Sequence, residues 1–163
     1  MFLYQSPPYS IRLFEDSDQA AIKDIYRATV SEYPYYYSRP LSGPLFPDDV
    51  RLNFGHQHDA FFVATVESQI VGFCGLMTKP DNRAIATCVN AVVIKEHRGK
   101  GIYSELHRLR ELHARANGIQ LLIAVTSELN LFMRNLLTRH GYSEFIPEKS
   151  VPGFLHLQKH LLH

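Results

Sequence analysis

The stretch that decides the fold runs from Val93 to Leu106 and reads VIKEHRGKGIYSEL. A run rich in β-branched residues precedes it and apolar residues at helical spacing follow it, so it spans a strand-to-helix junction. Its middle, residues 97–101, forms a glycine corner that holds a histidine, an arginine, a lysine and two glycines. The unpaired amides and the dipole at the start of a helix make such a corner able to bind a phosphate.

The residue types of the glycine corner favour anion binding. Gly99 and Gly101 carry no Cβ, so a bulky anion can approach the backbone closely. Arg98 and Lys100 can add positive charge. The spacing matches neither a Walker loop nor the fingerprint of dinucleotide-binding folds. A tight turn with solvated basic side chains therefore stays an alternative to a phosphate site.

Outward from the corner, strand and helix patterns alternate along the chain. The longest helix is predicted over residues 101–117, with one apolar stripe and charges on the opposite side. The first helix should end near Glu32, and Ser127 can cap the last one, which closes at Gly141. The predicted strands cover residues 10–14, 60–68, 69–79, 84–94, 120–127, 142–146 and 153–161, and a short helix starts near residue 48 or 49. The runs 60–68 and 69–79 meet at a tight turn near residues 67–69, which predicts a hairpin. The order β-α-α-β-β-β-α-β-α-β-β predicts an α/β fold with one mixed sheet and helices on its faces.

Length and composition limit the class of protein. The 163 residues suit a single domain, residues 1–163, and a hydrophobic content of 45% allows a real core. The formal net charge is +1, so bulk attraction to nucleic acid or to an anionic membrane is not expected. The N-terminus lacks a signal-peptide pattern, and no apolar run reaches the roughly 18 residues of a membrane helix. We expect a cytoplasmic protein with two reduced cysteines.

The glycine corner and its flanks resemble motif A of the GCN5-related N-acetyltransferases. The family signature is Arg or Gln, two residues, Gly, one residue, then Gly or Ala, and it aligns here with RGKGIY at residues 98–103. Val93 falls on the valine that usually ends the family's strand. Residues 11–26 and 130–142 are similar to the family's first strand and helix and to its later helix. The resemblance covers nearly the whole chain and implies an acyl-CoA N-acyltransferase-like fold, with a mostly antiparallel mixed sheet.

The resemblance implies acetyl-CoA as cosubstrate and no metal. In the family, amides of the glycine loop hold the pyrophosphate, and the preceding strand end, splayed from its neighbour, pairs with the pantetheine arm. An asparagine on the later helix often touches the arm as well. The implied cofactor-binding residues are Ala91, Val92, Val93, Arg98, Gly99, Lys100, Gly101, Ile102, Tyr103, Ser104 and Asn130.

Two positions depart from the family pattern. The small residue that closes the signature is Tyr103 here; its amide can still donate, and we expect its side chain to run along the helix, away from the phosphates. Many members carry a tyrosine four residues before the glycine of the final Gly-Tyr, and it protonates the leaving thiolate. That position is Leu137, and a leucine cannot donate a proton.

Acyl transfer to an amine needs a neutral amine, a polarised thioester carbonyl and good alignment. Glu32 is a candidate general base, and His97 is a second candidate. Tyr142 is a candidate general acid, with Tyr103 and water as the alternatives. Cys88 is disfavoured as a nucleophile, because direct transfer needs no acyl-enzyme. A metal site at the two histidines of the H-x-H stretch, residues 56–58, is disfavoured because a third ligand is missing.

Tyrosines cluster after the first helix, where the family's loop borders the acceptor. Tyr33, Tyr36 and Tyr37 can line an acceptor site by stacking or cation–π contact, or can pack a proline-rich loop. We predict an acetyl-CoA-dependent N-acetyltransferase that acetylates a primary amine of an unidentified acceptor. A catalytically silent CoA-binding module is the alternative, a nucleic-acid-binding role is disfavoured by the near-neutral charge, and a homodimer is left open.

Overall fold

A computed structural model of the chain describes residues 3–6, 8–32, 34–36 and 49–161. The strands are β1 (Tyr4–Ser6), β2 (Tyr9–Leu13), β3 (Ala60–Val66), β4 (Gln69–Lys79), β5 (Asn82–Val93), β6 (Leu121–Ser127), β7 (Ser143–Phe145) and β8 (Phe154–His160). Within these described residues, they form an eight-stranded sheet in the order β1-β2-β3-β4-β5-β6-β8-β7. Neighbouring strands in it run antiparallel, except that β5 and β6 are parallel. The predicted mixed, mostly antiparallel sheet is confirmed.

In the described part of the chain, four α-helices connect these strands: α1 (Gln19–Thr29), α2 (Val50–Asn53), α3 (Ile102–Ala116) and α4 (Leu131–Arg139). The order matches the prediction, with β1 as an additional strand at the start. The first helix continues to Glu32 only as a single 3₁₀ turn. The prediction that Ser127 caps α4 is wrong. Asn130 is the cap, since its side-chain oxygen accepts a hydrogen bond from the Met133 amide at 3.0 Å.

The helices cover both faces of the sheet. On one face α1 and α2 pack on an aromatic core whose members include Tyr26, Phe54 and Phe61. On the other face α3 and α4 bury aliphatic residues such as Leu106 and Leu136. The strand end that leads into the glycine corner therefore lies between two packed layers, which hold it in place.

A tight hairpin joins β3 to β4, as the sequence predicts. Glu67 and Ser68 have φ values of 50° and 67°, so both central residues are left-handed, as in a type I′ turn. Both cysteines are free thiols, and burial raises the pKa of Cys74 to about 11. Within the described residues, none of the helices combines the length and the apolar character that a membrane span requires.

Candidate functional site

The glycine corner connects β5 to α3 through two left-handed residues. Gly99 and Gly101 have φ values of 75° and 83°, and Gly101 is the N-cap of α3 without contributing a side-chain cap. The first amides of a fifteen-residue helix therefore have no side-chain acceptor from the cap position. Lys100 and Ser104 are exposed beside them, and Ile102 is buried.

Packing does not explain the two glycines. A Cβ added at Gly99 would meet no atom within 4 Å, and one added at Gly101 would meet only the Tyr9 hydroxyl at 3.7 Å. Only the positive φ angle favours glycine at these two positions, and the missing Cβ leaves open space above the backbone. A depression of about 290 Å³ lies at this point. Its lining adds four residues that the sequence analysis did not assign to the cofactor site: His97, Phe132, Leu136 and Arg139.

Arg98 turns away from the corner toward the first helix. Its two terminal nitrogens donate to the Glu32 carboxylate at 2.5 and 2.8 Å, and its Nε donates to the Val93 carbonyl at 2.9 Å. The guanidinium also lies 4.6 Å from the centre of the Tyr36 ring. Burial lowers the pKa of Arg98, but the hydrogen bonds and charges of Glu32 and Tyr103 together outweigh burial and leave the pKa raised. Glu32 therefore neutralises the positive charge that was predicted to assist anion binding.

The ion pair between Arg98 and Glu32 affects the base role predicted for Glu32 and the acceptor role predicted for Tyr36. A carboxylate whose two oxygens both accept hydrogen bonds from one arginine is poorly suited to take a proton from an amine. One face of Tyr36 is covered by Arg98, and its side chain is otherwise exposed. Tyr33 and Tyr37 lie outside the described residues. The base and acceptor roles of these residues stay predictions.

The prediction that the Tyr103 side chain runs along the helix is wrong, because the side chain bends back to the end of β5. Its hydroxyl accepts a hydrogen bond from the Val93 amide at 3.0 Å, and its ring packs 5.2 Å from that of Phe132. Burial raises the pKa of Tyr103, so the phenol keeps its proton. With Arg98 on the Val93 carbonyl, both backbone groups of Val93 already have side-chain partners. An arm pairing with Val93 would have to replace these contacts.

The strands β5 and β6 separate where the resemblance predicts a splay. Their parallel pairing covers residues 85–88 and ends at the pair Cys88 and Ala124, although β5 continues to Val93 and β6 to Ser127. On its other side β5 bulges, since two residues, Asn90 and Ala91, oppose Cys74 alone, and Asn90 has a φ of 55°. Beyond Cys88 the edge of β5 therefore faces β6 without a strand partner.

A cavity fills the space between the separated strands and is called the β5–β6 cleft. Its volume is about 50 Å³. It is lined by Thr87, Cys88, Val89, Asn90, Ala91, His107, Arg110, Ala124, Val125, Met133 and Leu137. Leu137, at the position of the family's tyrosine, is 1% exposed and leaves that wall apolar. The cleft contains three of the residues predicted or discussed for the arm and the chemistry, Ala91, Cys88 and Leu137.

Tyr142 lies behind Cys88. Its hydroxyl is 3.5 Å from the Cys88 sulfur, and its side chain is buried. Burial, together with the neighbouring Cys88, raises the pKa of Tyr142 well above its ordinary value. The hydroxyl is therefore protonated and able to donate, as the predicted acid requires. However, Cys88 lines the cleft, and Tyr142 lies behind it. Its catalytic role stays a prediction.

Two buried basic residues of α3, Arg110 and His107, were missed by the sequence analysis. Arg110 is 1% exposed and reaches the Gly75 carbonyl at 3.2 Å and His107 Nδ1 at 2.7 Å. The prediction that the charges of α3 lie only opposite its apolar stripe is wrong for Arg110. Its position eight residues after Ile102 on the apolar stripe was the signal that could have revealed it.

The remaining predictions concern Asn130 and metal binding. Asn130 is 1% exposed and its oxygen caps α4, which accounts for an asparagine at this position without a cofactor contact. In the described part of the chain, His, Cys, Asp and Glu form no group of three or more that could hold a metal ion. The His58 amide donates to His56 Nδ1 at 3.1 Å, so this pair is engaged locally.

Comparisons with known proteins agree with this geometry. Residues 22–142 match the model of the Acetyltransferase (GNAT) family. An acetyltransferase of this family from Staphylococcus aureus MU50 superposes with a TM-score of 0.80 at 13% identity, over 94% of this chain and 99% of that one. A ribosomal-protein-alanine N-acetyltransferase from Brucella melitensis gives 0.75 at 23% identity, over 93% and 99%. No curated protein sequence matches the chain. A family match over most of the chain, on a fold with this corner and this splay, leads to one conclusion: the chain belongs to the acetyltransferase (GNAT) family.

Proposed function

We propose that the protein is an acetyl-CoA-dependent N-acetyltransferase that moves an acetyl group directly to a primary amine of its acceptor. The observation that carries the proposal is the end of β5–β6 pairing at Cys88 and Ala124, next to a glycine corner that opens α3. An unpaired strand edge suits the amide-rich arm of CoA, because a peptide-like chain can add to it through backbone hydrogen bonds. The corner suits the negatively charged pyrophosphate.

Each part of the cofactor then has a place. The amides of residues 99–104 bind the pyrophosphate, with Lys100 adding positive charge. The edge formed by Ala91, Val92 and Val93 pairs with the arm. The thioester end lies in the β5–β6 cleft, whose walls are mostly buried and keep water away from the reacting carbon.

Residues of α3 and α4 line the cleft on the other face of the sheet, so the acceptor amine is proposed to approach the thioester from the α1 side. Tyr36 and the neighbouring tyrosines after α1 are proposed to shape this approach, as the position of Tyr36 beside Arg98 supports. Tyr142 is proposed as the proton donor that returns a proton to the CoA sulfur once the acetyl transfer is complete, supported by its buried, protonated hydroxyl. Glu32 is proposed as the general base, and its ion pair with Arg98 has to open before the carboxylate can accept a proton.

Binding and turnover are tested separately. Acetyl-CoA should raise the melting temperature of the protein, and a panel of small amines, amino acids, peptides with free N-termini and lysine peptides should reveal an acceptor by release of free CoA. The peptides are included because a relative with this fold is named as a ribosomal-protein-alanine N-acetyltransferase. Binding without CoA release from any acceptor would favour the silent CoA-binding module.

A matched pair of variants tests the glycine corner. Gly101→Asp places a carboxylate against the proposed pyrophosphate and should abolish the melting shift. Gly118→Asp introduces the same residue at a similar φ, 71° against 83°, at the far end of α3, and should keep it. Equal shifts in the two variants would reject the assignment of the corner. Homodimer formation and a cytoplasmic location stay predictions from the sequence.

A further inference from the structure

Arg110 carries a positive charge in the core without a carboxylate to balance it. It is among the largest fully buried side chains, and none of the salt bridges formed by the described residues involves it. Its Nε has no hydrogen-bond partner, and its terminal nitrogens reach only the Gly75 carbonyl and His107. A buried, unbalanced cation is strongly unfavourable, so a sequence that keeps one calls for a compensating function.

His107 cannot supply the missing negative charge, and it holds the guanidinium in place. Arginine only donates, so the contact at 2.7 Å makes His107 Nδ1 an acceptor and leaves the ring hydrogen on Nε2. Burial and the charge of Arg110 lower the pKa of His107 well below its ordinary value, so the ring is neutral. The histidine therefore fixes the orientation of Arg110 without neutralising it.

A second unsatisfied polar group faces the same cavity. Asn90 is 8% exposed, sits at the bulge of β5 and lines the β5–β6 cleft together with Arg110. Both of its side-chain polar atoms are buried without a partner. Because buried polar groups are normally hydrogen-bonded, two such groups around one cavity indicate a polar ligand between them. The cleft thus combines a cation and a free amide at the level where β5 and β6 separate.

We propose that Arg110, held by His107, stabilises the CoA thiolate as it leaves and so takes over the task of the tyrosine that Leu137 replaces. This inference rests on the proposed function, since it assumes that the thioester occupies the cleft. Asn90 binds the polar end of the arm beside it. An arginine needs to give up no proton for this task, because its charge alone favours the thiolate.

The reaction balances without any further reactant. The neutral amine nitrogen attacks the thioester carbonyl carbon and forms the C–N bond, and the C–S bond breaks with its electron pair remaining on sulfur. The sulfur leaves as a thiolate beside Arg110, and the nitrogen loses its proton to water. The products are the N-acetylated acceptor and CoA, whose thiol is protonated again on release.

The test compares the bound CoA thiol in the native protein and in Arg110→Met. The thiol pKa is measured from the ultraviolet absorbance of the thiolate, as the difference between protein with CoA and protein with acetyl-CoA, which has no thiol. Loss of an adjacent opposite charge should raise the pKa of the bound thiol by about 1–3 units in Arg110→Met. Arg108→Met is the matched control, because Arg108 is exposed on the same helix, and it should leave that pKa unchanged.

Turnover and stability separate this role from a structural one. With an acceptor from the amine panel, kcat of Arg110→Met should fall by about 10²–10³-fold with little change in the KM for acetyl-CoA, and Arg110→Lys should recover part of it. The melting temperature of Arg110→Met should not fall, since methionine removes an unbalanced buried charge. A lower melting temperature with unchanged bound-thiol pKa and kcat would assign Arg110 to the core and overturn the inference.

Three further outcomes are decisive. If Arg110→Met does not fold, the native protein alone answers the question, because a bound thiol with a pKa above that of free CoA contradicts stabilisation by Arg110. If the native protein binds neither CoA nor acetyl-CoA, the proposed function and this inference fail together. Normal binding and transfer with the same bound-thiol pKa in native protein and Arg110→Met would overturn only the inference.

Discussion

The ion pair between Arg98 and Glu32 gives the most informative single perturbation. Glu32→Gln keeps one acceptor oxygen but removes the negative charge and one of two hydrogen bonds, which measure 2.5 and 2.8 Å. A hydrogen bond to a charged group contributes roughly 1.5–3 kcal/mol to stability. The Glu32 side chain is 22% exposed and that of Arg98 is 15% exposed, so water can partly replace the hydrogen bond that Arg98 loses. Arg98 also keeps its hydrogen bond to the Val93 carbonyl. We expect a loss of about 2 kcal/mol, which lowers the melting temperature by about 4–8 °C in a chain of this size.

The assay is a double-mutant cycle in urea and thermal unfolding. Glu32→Gln, Arg98→Met and the double variant should give a coupling free energy of about 1–3 kcal/mol, because the two side chains contact each other directly. The control cycle uses the exposed pair Arg51 and Asp16, whose side chains are 80% and 69% exposed and which should couple by less than about 1 kcal/mol. Equal coupling in the two cycles would refute the reasoning. A fall in kcat of about 10²-fold or more for Glu32→Gln at unchanged stability would instead make Glu32 the base.

Substitutions at three further positions test other contacts of the structure. Tyr103→Phe removes the acceptor for the Val93 amide, so stability should fall by about 1 kcal/mol and acetyl-CoA should raise the melting temperature more than in the native protein; an equal shift argues against arm pairing at Val93. Asn130→Ala should cost about 1 kcal/mol through loss of the α4 cap, and Asn130→Ser should restore stability, with any remaining loss of acetyl-CoA affinity reporting a cofactor contact. Burial raises the pKa of Asp18, but hydrogen bonds from Arg12 and from a backbone amide together outweigh burial and lower that pKa. The ionised Asp18 carboxylate therefore stabilises the fold above about pH 4, and this stabilisation is lost as the pH falls further. Unfolding curves from pH 7 to pH 2 should therefore show Asp18→Asn less stable than the native protein at neutral pH, with the gap closing in acid; a constant gap would contradict the assignment.

Features set by neighbouring residues were predictable from the sequence. Gly99 and Gly101 indicate a backbone with positive φ, and the apolar spacing after them indicates a helix, so the corner follows from adjacent residues. The hairpin at Glu67 and Ser68 follows from two β-rich runs that meet at a tight turn. The α4 cap was misplaced by three residues because Ser127 and Asn130 are both good caps, and only the tertiary path of the chain decides between them.

Contacts between distant segments were not predictable in the same way. Arg98 and Glu32 are 66 residues apart, and nothing in the glycine corner indicates that its arginine turns toward α1. Tyr103 reaches back to Val93 because a bulky side chain at the first turn of α3 finds an unpaired strand amide within hydrogen-bond distance. Arg110 lies on a helix with many charged residues. This composition predicted an exposed side chain, and the position of Arg110 on the apolar stripe, which indicates burial, was the weaker signal. Each of these contacts decides what a site residue can do.

The charges of the two ends of the proposed site therefore differ in kind. At the corner, Glu32 neutralises Arg98, so the amides, the exposed Lys100 and Arg139 in the lining are left to attract the pyrophosphate. Interactions of exposed charges are screened by salt, so added salt should weaken acetyl-CoA binding at this end. In the cleft, Arg110 is buried and has no acidic partner among the described residues, so its field is screened little. Binding and chemistry are thus separable. Lys100→Met should weaken acetyl-CoA binding and reduce its salt dependence while the bound-thiol pKa stays the same. Arg110→Met should leave acetyl-CoA binding and its salt dependence nearly unchanged while the bound-thiol pKa rises.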